Sequence, residues 1–267
     1  MNILEKIVAS KKKEIEKSKD YTTIKSLEES IFYSSPVVSL SKYLKRPDKV
    51  GIIAEIKRSS PSNKSFSKDI DVEQLSIAYM QSGASALSIL TDKTYFEGTT
   101  QDLEIARKFN YCPILRKDFV LDEYQVIESK SIGADCILLI AACLTPQRTQ
   151  KLAAFAKSIG LEILLEVHNK EEIQSHVNEH IDLIGVNNRN LKTFNISITN
   201  SLELMEHLPS ELVKVSESGI SKGTDIKQLS DAGFDGFLIG THFMKSSYPA
   251  QKCKKLIDSY NLIRHEN

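Results

Sequence analysis

No apolar run in this chain approaches the ~20 residues needed to span a bilayer, so the sequence does not read as a helical membrane protein. Neither charge is in excess: Lys+Arg and Asp+Glu both total 35 and the formal net charge is zero. That balance argues against a broad nucleic-acid footprint and leaves only a local basic patch open. Cysteine is sparse. Cys112, Cys136, Cys143 and Cys253 form no C-x-x-C pair, and three sit in apolar surroundings, so buried reduced thiols are expected rather than disulfides. The two common phosphate-binding signatures, GxGxxG and GxxxxGK[ST], are absent. His176 and His180 are four apart, a spacing that could bind a metal on a helix. There is no HExxH pattern, however, and "SHVNEH" reads as a polar helix face. The first residues, "MNILEKIVASKKKEIEKSKD", do not read as a signal peptide, because charges interrupt and follow the apolar residues. The expected location is the cytoplasm.

What is present is an ordinary globular composition, 41% hydrophobic and 26% charged, arranged in a regular pattern. Eight short apolar runs alternate with polar segments from Val50 onward: "VGIIAEI", "ALSILT", "CPILRKDF", "CILLIAA", "LEILLEV", "DLIGVN", "LVKVSES" and "GFLIGT". They are continuous rather than alternating, as parallel strands covered on both faces should be. Between them, "DVEQLSIAYMQSG", "DEYQVIESKSIG", "TPQRTQKLAAFAKSIG" and "SKGTDIKQLSDAG" read as helices that end at Gly. The first, third and fourth carry Asp, Thr or Ser near the start.

A repeat underlies the alternation. "SGASALSIL", "IGADCILLI" and "AGFDGFLIG" each place Gly, one residue, then Ser or Asp before an apolar strand, and "HIDLIGVN" fills the gap with His180 and Asp182. The period of about 50 residues holds two strand–helix units, and eight such units close a (β/α)8 barrel of typically ~250 residues. An open doubly wound sheet is the rival, but it seldom needs eight evenly spaced strands. Residues 1–49 then form an N-terminal helical extension on the barrel of residues 50–267. It comprises a helix with Ile3, Leu4, Ile7, Val8 and Ile15 at helical spacing, a weaker stretch around "YTTIKSLEES", and a polar connector containing Pro36. No composition break marks a separate domain.

In a (β/α)8 barrel the working residues lie at the C-terminal strand ends. Those ends here carry Glu55 and Lys57; "LTDKTYFEGT"; Lys117 and Asp118; Glu166; Asn187 and Arg189; Glu217, Ser218 and Gly219; and Gly240 and Thr241. Gly219 and Gly240, with Ser218 and Thr241, follow strands seven and eight, the usual phosphate position of a barrel, where glycine lets amides approach an anion closely. Lys57, Lys117 and Arg189 form a cationic set able to hold a carboxylate and protonate an oxygen, and salt bridges to Glu55, Asp118 and Glu217 are compatible with that. Glu166 follows "LEILL", so poor hydration should raise its pKa and suit it to proton transfer. Phe96 and Phe119 could sandwich an aromatic group, or simply pack in the core.

"AEIKRSSPS", "LTDKTYFEGT", "ILRKDF", "LLEVHN", "IGVNNRNL", "VSESGI" and "FLIGTHFM" together, in this order and spacing, resemble the indole-3-glycerol phosphate synthase family. The resemblance covers about residues 1 to 260, including the helical extension, which in the family covers part of the active-site mouth. It implies a carboxy-lyase of tryptophan biosynthesis. The substrate would be 1-(2-carboxyphenylamino)-1-deoxyribulose 5-phosphate, and the products indole-3-glycerol phosphate, carbon dioxide and water. It further implies Lys117 as general acid in ring closure and Glu166 as acid/base in dehydration. Glu55 and Lys57 would orient the substrate, and Asn187 and Arg189 would hold its polar groups. Ser60 and Glu217 match further site positions. Ser218, Gly219, Gly240 and Thr241 match the phosphate cradle, Ser218 also being counted with the catalytic set. Phe96 and Phe119 match the anthranilate wall. Thr241 stands where serine is common, and its hydroxyl and amide remain. No metal, flavin or pyridoxal is expected, and no nucleic acid, membrane or obligatory protein partner. No fused neighbouring-pathway domain is expected either, since the chain ends soon after the last helix. Two alternatives remain open. A phosphosugar isomerase or epimerase would share strands seven and eight but not need "EIKRSSPS" with "LRKDF". A silent phosphate-ligand barrel would predict loss of Lys117 or Glu166.

Overall fold

A computed structural model describes residues 3–61, 66, 70–190 and 195–264. Ser62 and Leu191 of the quoted motifs, and the outermost residues of the two expected segments, lie outside the described residues. The eight apolar runs are strands β1 (Ile52–Ile56), β2 (Ala86–Leu90), β3 (Ile114–Lys117), β4 (Cys136–Ile140), β5 (Glu162–Val167), β6 (Leu183–Asn187), β7 (Val213–Glu217) and β8 (Gly236–Ile239). Each pairs in parallel with the next, and β8 returns to β1 through Ile52↔Phe237, Ile53↔Leu238 and Ala54↔Ile239. The sheet is therefore a closed (β/α)8 barrel, not an open doubly wound sheet.

Helices α1 (Ile3–Tyr21), α2 (Ile24–Glu28) and α3 (Leu40–Leu44) precede β1. Around the barrel follow α4 (Val72–Gln81), α5 (Lys93–Phe96), α6 (Thr100–Phe109), α7 (Glu123–Ser131), α8 (Pro146–Ser158), α9 (Lys170–His176), α10 (Thr199–Leu204), α11 (Gly223–Ala232), α12 (Thr241–Met244) and α13 (Pro249–Ile263). Asp71 and Thr145 cap α4 and α8 as expected, accepting from the N–H groups of Gln74 and Arg148. Asp122 caps α7 in a full capping box with Gln125. Ser221 does not cap α11. Asp225 in its first turn instead accepts from the N–H groups of Ser221 and Lys222. Gly83, Gly133, Gly160 and Gly233 have φ of 101°, 90°, 88° and 109°, the left-handed turn that ends each of the four helices. Among the described residues no helix is long and apolar enough to cross a membrane.

The repeated Ser/Asp has one structural role. Ser85 Oγ accepts from Gly51 N–H, Asp135 from Ile114, Asp182 from Ile163 and Asp235 from Lys214. Each side chain at the start of an even strand thus binds the first amides of the odd strand before it. Each of their own N–H groups donates to a carbonyl of that odd strand. The repeat stitches the N-terminal rim, which leaves the opposite rim free for other residues.

Period-two alternation sorts the strand side chains. Ile52, Ala54 and Ile56 face the helices, whereas Ile53 faces the barrel interior with Ala86, Leu115, Leu138, Leu164, Val215 and Leu238. The N-terminal end of this interior is plugged by α3, whose Leu40 and Leu44 join the same cluster. Its start is tied down by Ser39 Oγ and Ser41 N–H donating to the Glu162 carboxylate at the start of β5. The connector after residue 30 is therefore not merely polar linker. It carries a helix short enough to escape periodicity, marked only by the Ser39 cap and the Leu40–Leu44 pair.

Gly51 enters β1 at φ 86°, and a Cβ there would overlap the Asp235 carbonyl oxygen. Both the left-handed backbone and the rigid neighbour oppose a side chain. Gly51→Ala is expected to lower stability by about 3 kcal/mol or more, read by denaturant unfolding. A midpoint equal to wild type would contradict this.

Candidate active site

The same alternation that fills the interior with leucines and valines builds the site one layer further up each strand. Glu55 and Lys57 continue the inward phase of Ile53. Lys117 continues that of Leu115, Glu166 and His168 that of Leu164, Asn187 that of Leu183, and Glu217 that of Val215. Arg58 is on the outward phase and binds Asp102 of α6 at 2.7 Å, fastening the end of β1 to the helical shell. A strand that ends in "EIKR" therefore sends Glu55 and Lys57 into the barrel mouth and Arg58 away from it.

The residues singled out at the strand ends, with Ser60, Phe96 and Phe119, line one cavity of about 410 Å³, a size suited to a small organic ligand. Glu55, Lys57, Lys117, Glu166, Asn187, Arg189 and Glu217 lie around its polar part. Gly219, Gly240 and Thr241, with Ser218, occupy the side formed by strands seven and eight. Ser60, Phe96 and Phe119 are on the β1–β3 side, and Ile3, Leu4 and Ile7 of α1 close over the mouth.

The polar centre is one connected charge network. Lys117 Nζ lies 2.9 Å from Glu166 Oε2 and 3.2 Å from Glu217 Oε2. Asn187 Nδ2 donates to Glu166 Oε1 at 3.2 Å, and Asn187 Oδ1 accepts from Arg189 N–H. Lys57 Nζ pairs with Glu55 Oε1 at 2.5 Å. Burial alone would drive the proton off Lys117, but Glu166, Glu217 and Glu55 more than offset it and push its pKa well above the ordinary lysine value. The expected rise at Glu166 is not found. Its burial is outweighed by Lys117, His168 and Asn187, which hold it down to about 2. The raised carboxyl is Glu217. Burial and the negative charges of Glu166 and Glu55 lift it to about 7, against the pull of Lys117. Two buried carboxylates share one ammonium, and the one with additional donors keeps the charge. Glu217 Oε1 has no hydrogen-bond partner among the described residues, in keeping with that assignment.

Glycine makes room for these carboxylates. A Cβ at Gly185 would overlap Glu217 Oε1, and one at Gly240 would overlap Glu55 Oε1. On the side of strands seven and eight, Ser218 and Gly219 have φ of 70° and 84°. The strained Ser218 is held by Asn188 Nδ2 donating to its carbonyl at 3.0 Å. Phe96 and Phe119 do not form a sandwich. Their centroids are 6.2 Å apart at 40°, too close and too tilted to admit a ring between them, so they make one continuous wall. Asp118 is not a partner of Lys117. It turns outward to Thr91, Arg116 and Lys11, and Lys11 also reaches Asp92, each acid lying 2.9 Å from its ammonium.

That last triad was not visible in the sequence. Lys11, on the buried face of α1, is only 1% exposed and fastens the helix across the ends of β2 and β3 beside Lys117. His168 was also missed, although it stands in the word "LLEVHN" on the inward phase of β5. His176 and His180 do not share a helix. His176 ends α9 with its Nε2 on the Leu144 carbonyl, and His180 lies beyond it beside Glu179.

A family model described as Indole-3-glycerol phosphate synthase matches residues 4–256. A protein of that name from Bacteroides thetaiotaomicron is 44% identical over 256 residues, 96% of this chain and 98% of its own. One from Polaromonas sp. is 39% identical over 251 residues, 93% and 95% of the two chains. Among solved structures, 3-hexulose-6-phosphate synthase from Salmonella typhimurium superposes with a TM-score of 0.62 at 12% identity, covering 80% of this chain and all of that one. At that identity the likeness speaks for the fold alone.

Proposed function

The chain belongs to the indole-3-glycerol phosphate synthase family, and we infer from that premise which side chains carry which step. It is a carboxy-lyase of tryptophan biosynthesis. It closes the pyrrole ring of 1-(2-carboxyphenylamino)-1-deoxyribulose 5-phosphate and releases carbon dioxide and water to leave indole-3-glycerol phosphate. The observation that carries the residue assignment is Lys117, an ammonium held between Glu166 and Glu217 on the floor of the cavity.

The sugar phosphate would lie against Gly219, Gly240, Thr241 and Ser218, and the anthranilate ring against the Phe96–Phe119 wall under α1. Fixing both ends bends the chain so that a ring carbon meets the carbonyl, and orientation of this kind is worth several kcal/mol. Lys57, oriented by Glu55, faces the carboxylate that will leave, and Ser60, Asn187 and Arg189 hold polar groups of the substrate. Lys117 gives its proton to the carbonyl oxygen as negative charge develops there. Its raised pKa keeps that proton in place until a far more basic alkoxide forms beside it. Loss of carbon dioxide then restores aromaticity. Once Lys117 is neutral, the largest attraction that held Glu166 down is gone while its burial remains. Glu166 then takes up a proton from solvent and delivers it to the departing hydroxyl, which leaves as water; the carboxylate so restored accepts the proton that the adjacent ring carbon loses as the double bond forms, and passes it back to Lys117.

An assay of the purified protein with the carboxyphenylamino substrate, in the presence of a chelator, tests this. Growth of indole absorbance is expected. Isomerisation or epimerisation of a sugar phosphate without indole formation would contradict it. Gly240→Ala should displace Glu55, and with it Lys57, from the leaving carboxylate. KM is expected to rise roughly ten-fold, about 1.4 kcal/mol, and an unchanged KM in steady-state kinetics would count against the placement.

We further propose that residues 1–49 and 50–267 form one domain. Lys11 ties α1 to the C-terminal rim, and Ser39 and Ser41 tie α3 to Glu162 at the other. Two separate unfolding transitions would contradict it. The protein is proposed to act in the cytoplasm, with its four thiols free, on its phosphorylated substrate alone, without nucleic acid, membrane or an obligatory protein partner.

A further inference from the structure

We propose that His168 is a positioning residue that holds Glu166 in place and keeps it charged, through a buried carboxylate–imidazole–carboxylate chain running from Glu172 to the reacting centre. This rests on the reading of Glu166 as the acid/base of the reaction.

His168 leaves β5 two residues after Glu166, on the same inward phase. Its ring nitrogen Nδ1 lies 3.2 Å from Glu172 Oε2, and the same oxygen accepts the His168 backbone N–H at 2.7 Å. Glu172 is itself fixed on the first turn of α9. Asn169 Nδ2 donates to its other oxygen, and Asn169 Oδ1 accepts its N–H. The far ring nitrogen, Nε2, is buried, makes no hydrogen bond among the described residues, and lies 3.5 Å from Glu166 Oε1, the oxygen that accepts from Asn187 Nδ2. The remaining oxygen of Glu166 binds Lys117.

Facing a carboxylate at Nδ1 puts a proton on that nitrogen. A lone pair on Nε2 would then oppose the negative charge of Glu166, so the ring is best accommodated with both nitrogens protonated. The groups that face it agree. Glu172 from α9, Glu166 from β5 and Glu217 from β7 all favour the cation, and together they outweigh the effect of burial, which alone would remove the charge. Cys143, packed beside Glu166 and Glu172, has its thiol pushed far up by burial and contributes no charge. Lys117 is the opposing cation, separated from the ring by Glu166 itself. The ring thus supplies the second positive neighbour that lets Glu166, rather than Glu217, keep its charge. When Glu166 accepts its proton, the ring can remain in place.

The test uses the full-length protein with His168→Gln, Glu172→Gln and, as reference, Glu166→Gln. His168→Gln is expected to lower kcat ten-fold or more with KM within about two-fold, and to move the acidic limb of the kcat–pH profile upward, since Glu166 loses a charge that holds it ionised. Glu172→Gln, which leaves the imidazole in place, is expected to shift the same limb in the same direction by less. It also tests the chain should His168→Gln fail to fold. Nitrogen NMR of the wild-type ring should show both nitrogens protonated at pH 7. A neutral ring at that pH, or a normal kcat and pH profile in either folded variant while Glu166→Gln is inactive, would overturn the proposal. Full activity of Glu166→Gln would instead overturn the reading on which it rests.

Discussion

Lys117→Met is expected to lower kcat by about three orders of magnitude, the range expected for losing a positioned general acid. Methionine nearly fills the volume but removes the ammonium, so nothing remains to protonate the carbonyl oxygen as the ring closes. The side of the cavity proposed to hold the phosphate, with Ser218, Gly219, Gly240 and Thr241, is untouched by the change. A phosphate-bearing product should therefore still bind within several-fold of its wild-type affinity, as read by calorimetry. The substitution also leaves Glu166 and Glu217 buried without their shared cation, and removing one partner of a buried pair typically costs ~3–5 kcal/mol. Glu217, already raised to about 7, can lessen that cost by taking up a proton. Turnover should accordingly be measured on protein shown to be folded. Near-normal turnover would remove Lys117 from the mechanism.

Glu166→Gln is expected to slow the reaction by roughly two to three orders of magnitude, and to do so differently. Lys117 retains Glu217 as a partner, so ring closure loses less than dehydration does. Intermediates short of the finished pyrrole should then accumulate in single-turnover experiments. The substitution also removes a negative neighbour that raises Glu217. The sign is fixed: with Glu166 neutral, Glu217 should titrate below about 7. An infrared or NMR titration of the Glu217 carboxyl that stays put, or a kcat–pH profile that matches wild type, would contradict the assignment.

The barrel was readable in the chain because parallel strands covered on both faces are largely continuous apolar runs, as most of these eight are; the alternating "LVKVSES" took its place from the spacing of the others. The site was readable for a related reason. Side chains such as Glu55, Lys117, Glu166 and Glu217 extend the inward phase of apolar residues just before them, so their position follows from counting by two. What was not readable depends on partners distant in sequence. Burial of Glu166 was evident from "LEILL". That Lys117, Asn187 and His168 converge on it and reverse the sign of its shift was not. Lys11 gave no sign that its ammonium would meet Asp92 and Asp118 across the mouth. The short α3 has too few residues for a period to show. Phe96 and Phe119 had the right types for a sandwich, but only their relative tilt reveals a single wall.

The central claim is that Lys117 and Glu166 act together on a molecule anchored by its phosphate at strands seven and eight. A crystal structure of the protein with indole-3-glycerol phosphate bound tests it most directly. The phosphate should lie against Gly219, Gly240 and Thr241, with the indole on the Phe96–Phe119 wall and both Lys117 Nζ and a Glu166 carboxylate oxygen within hydrogen-bonding reach of the ligand. A ligand bound with its phosphate elsewhere, or beyond the reach of either side chain, would contradict the account.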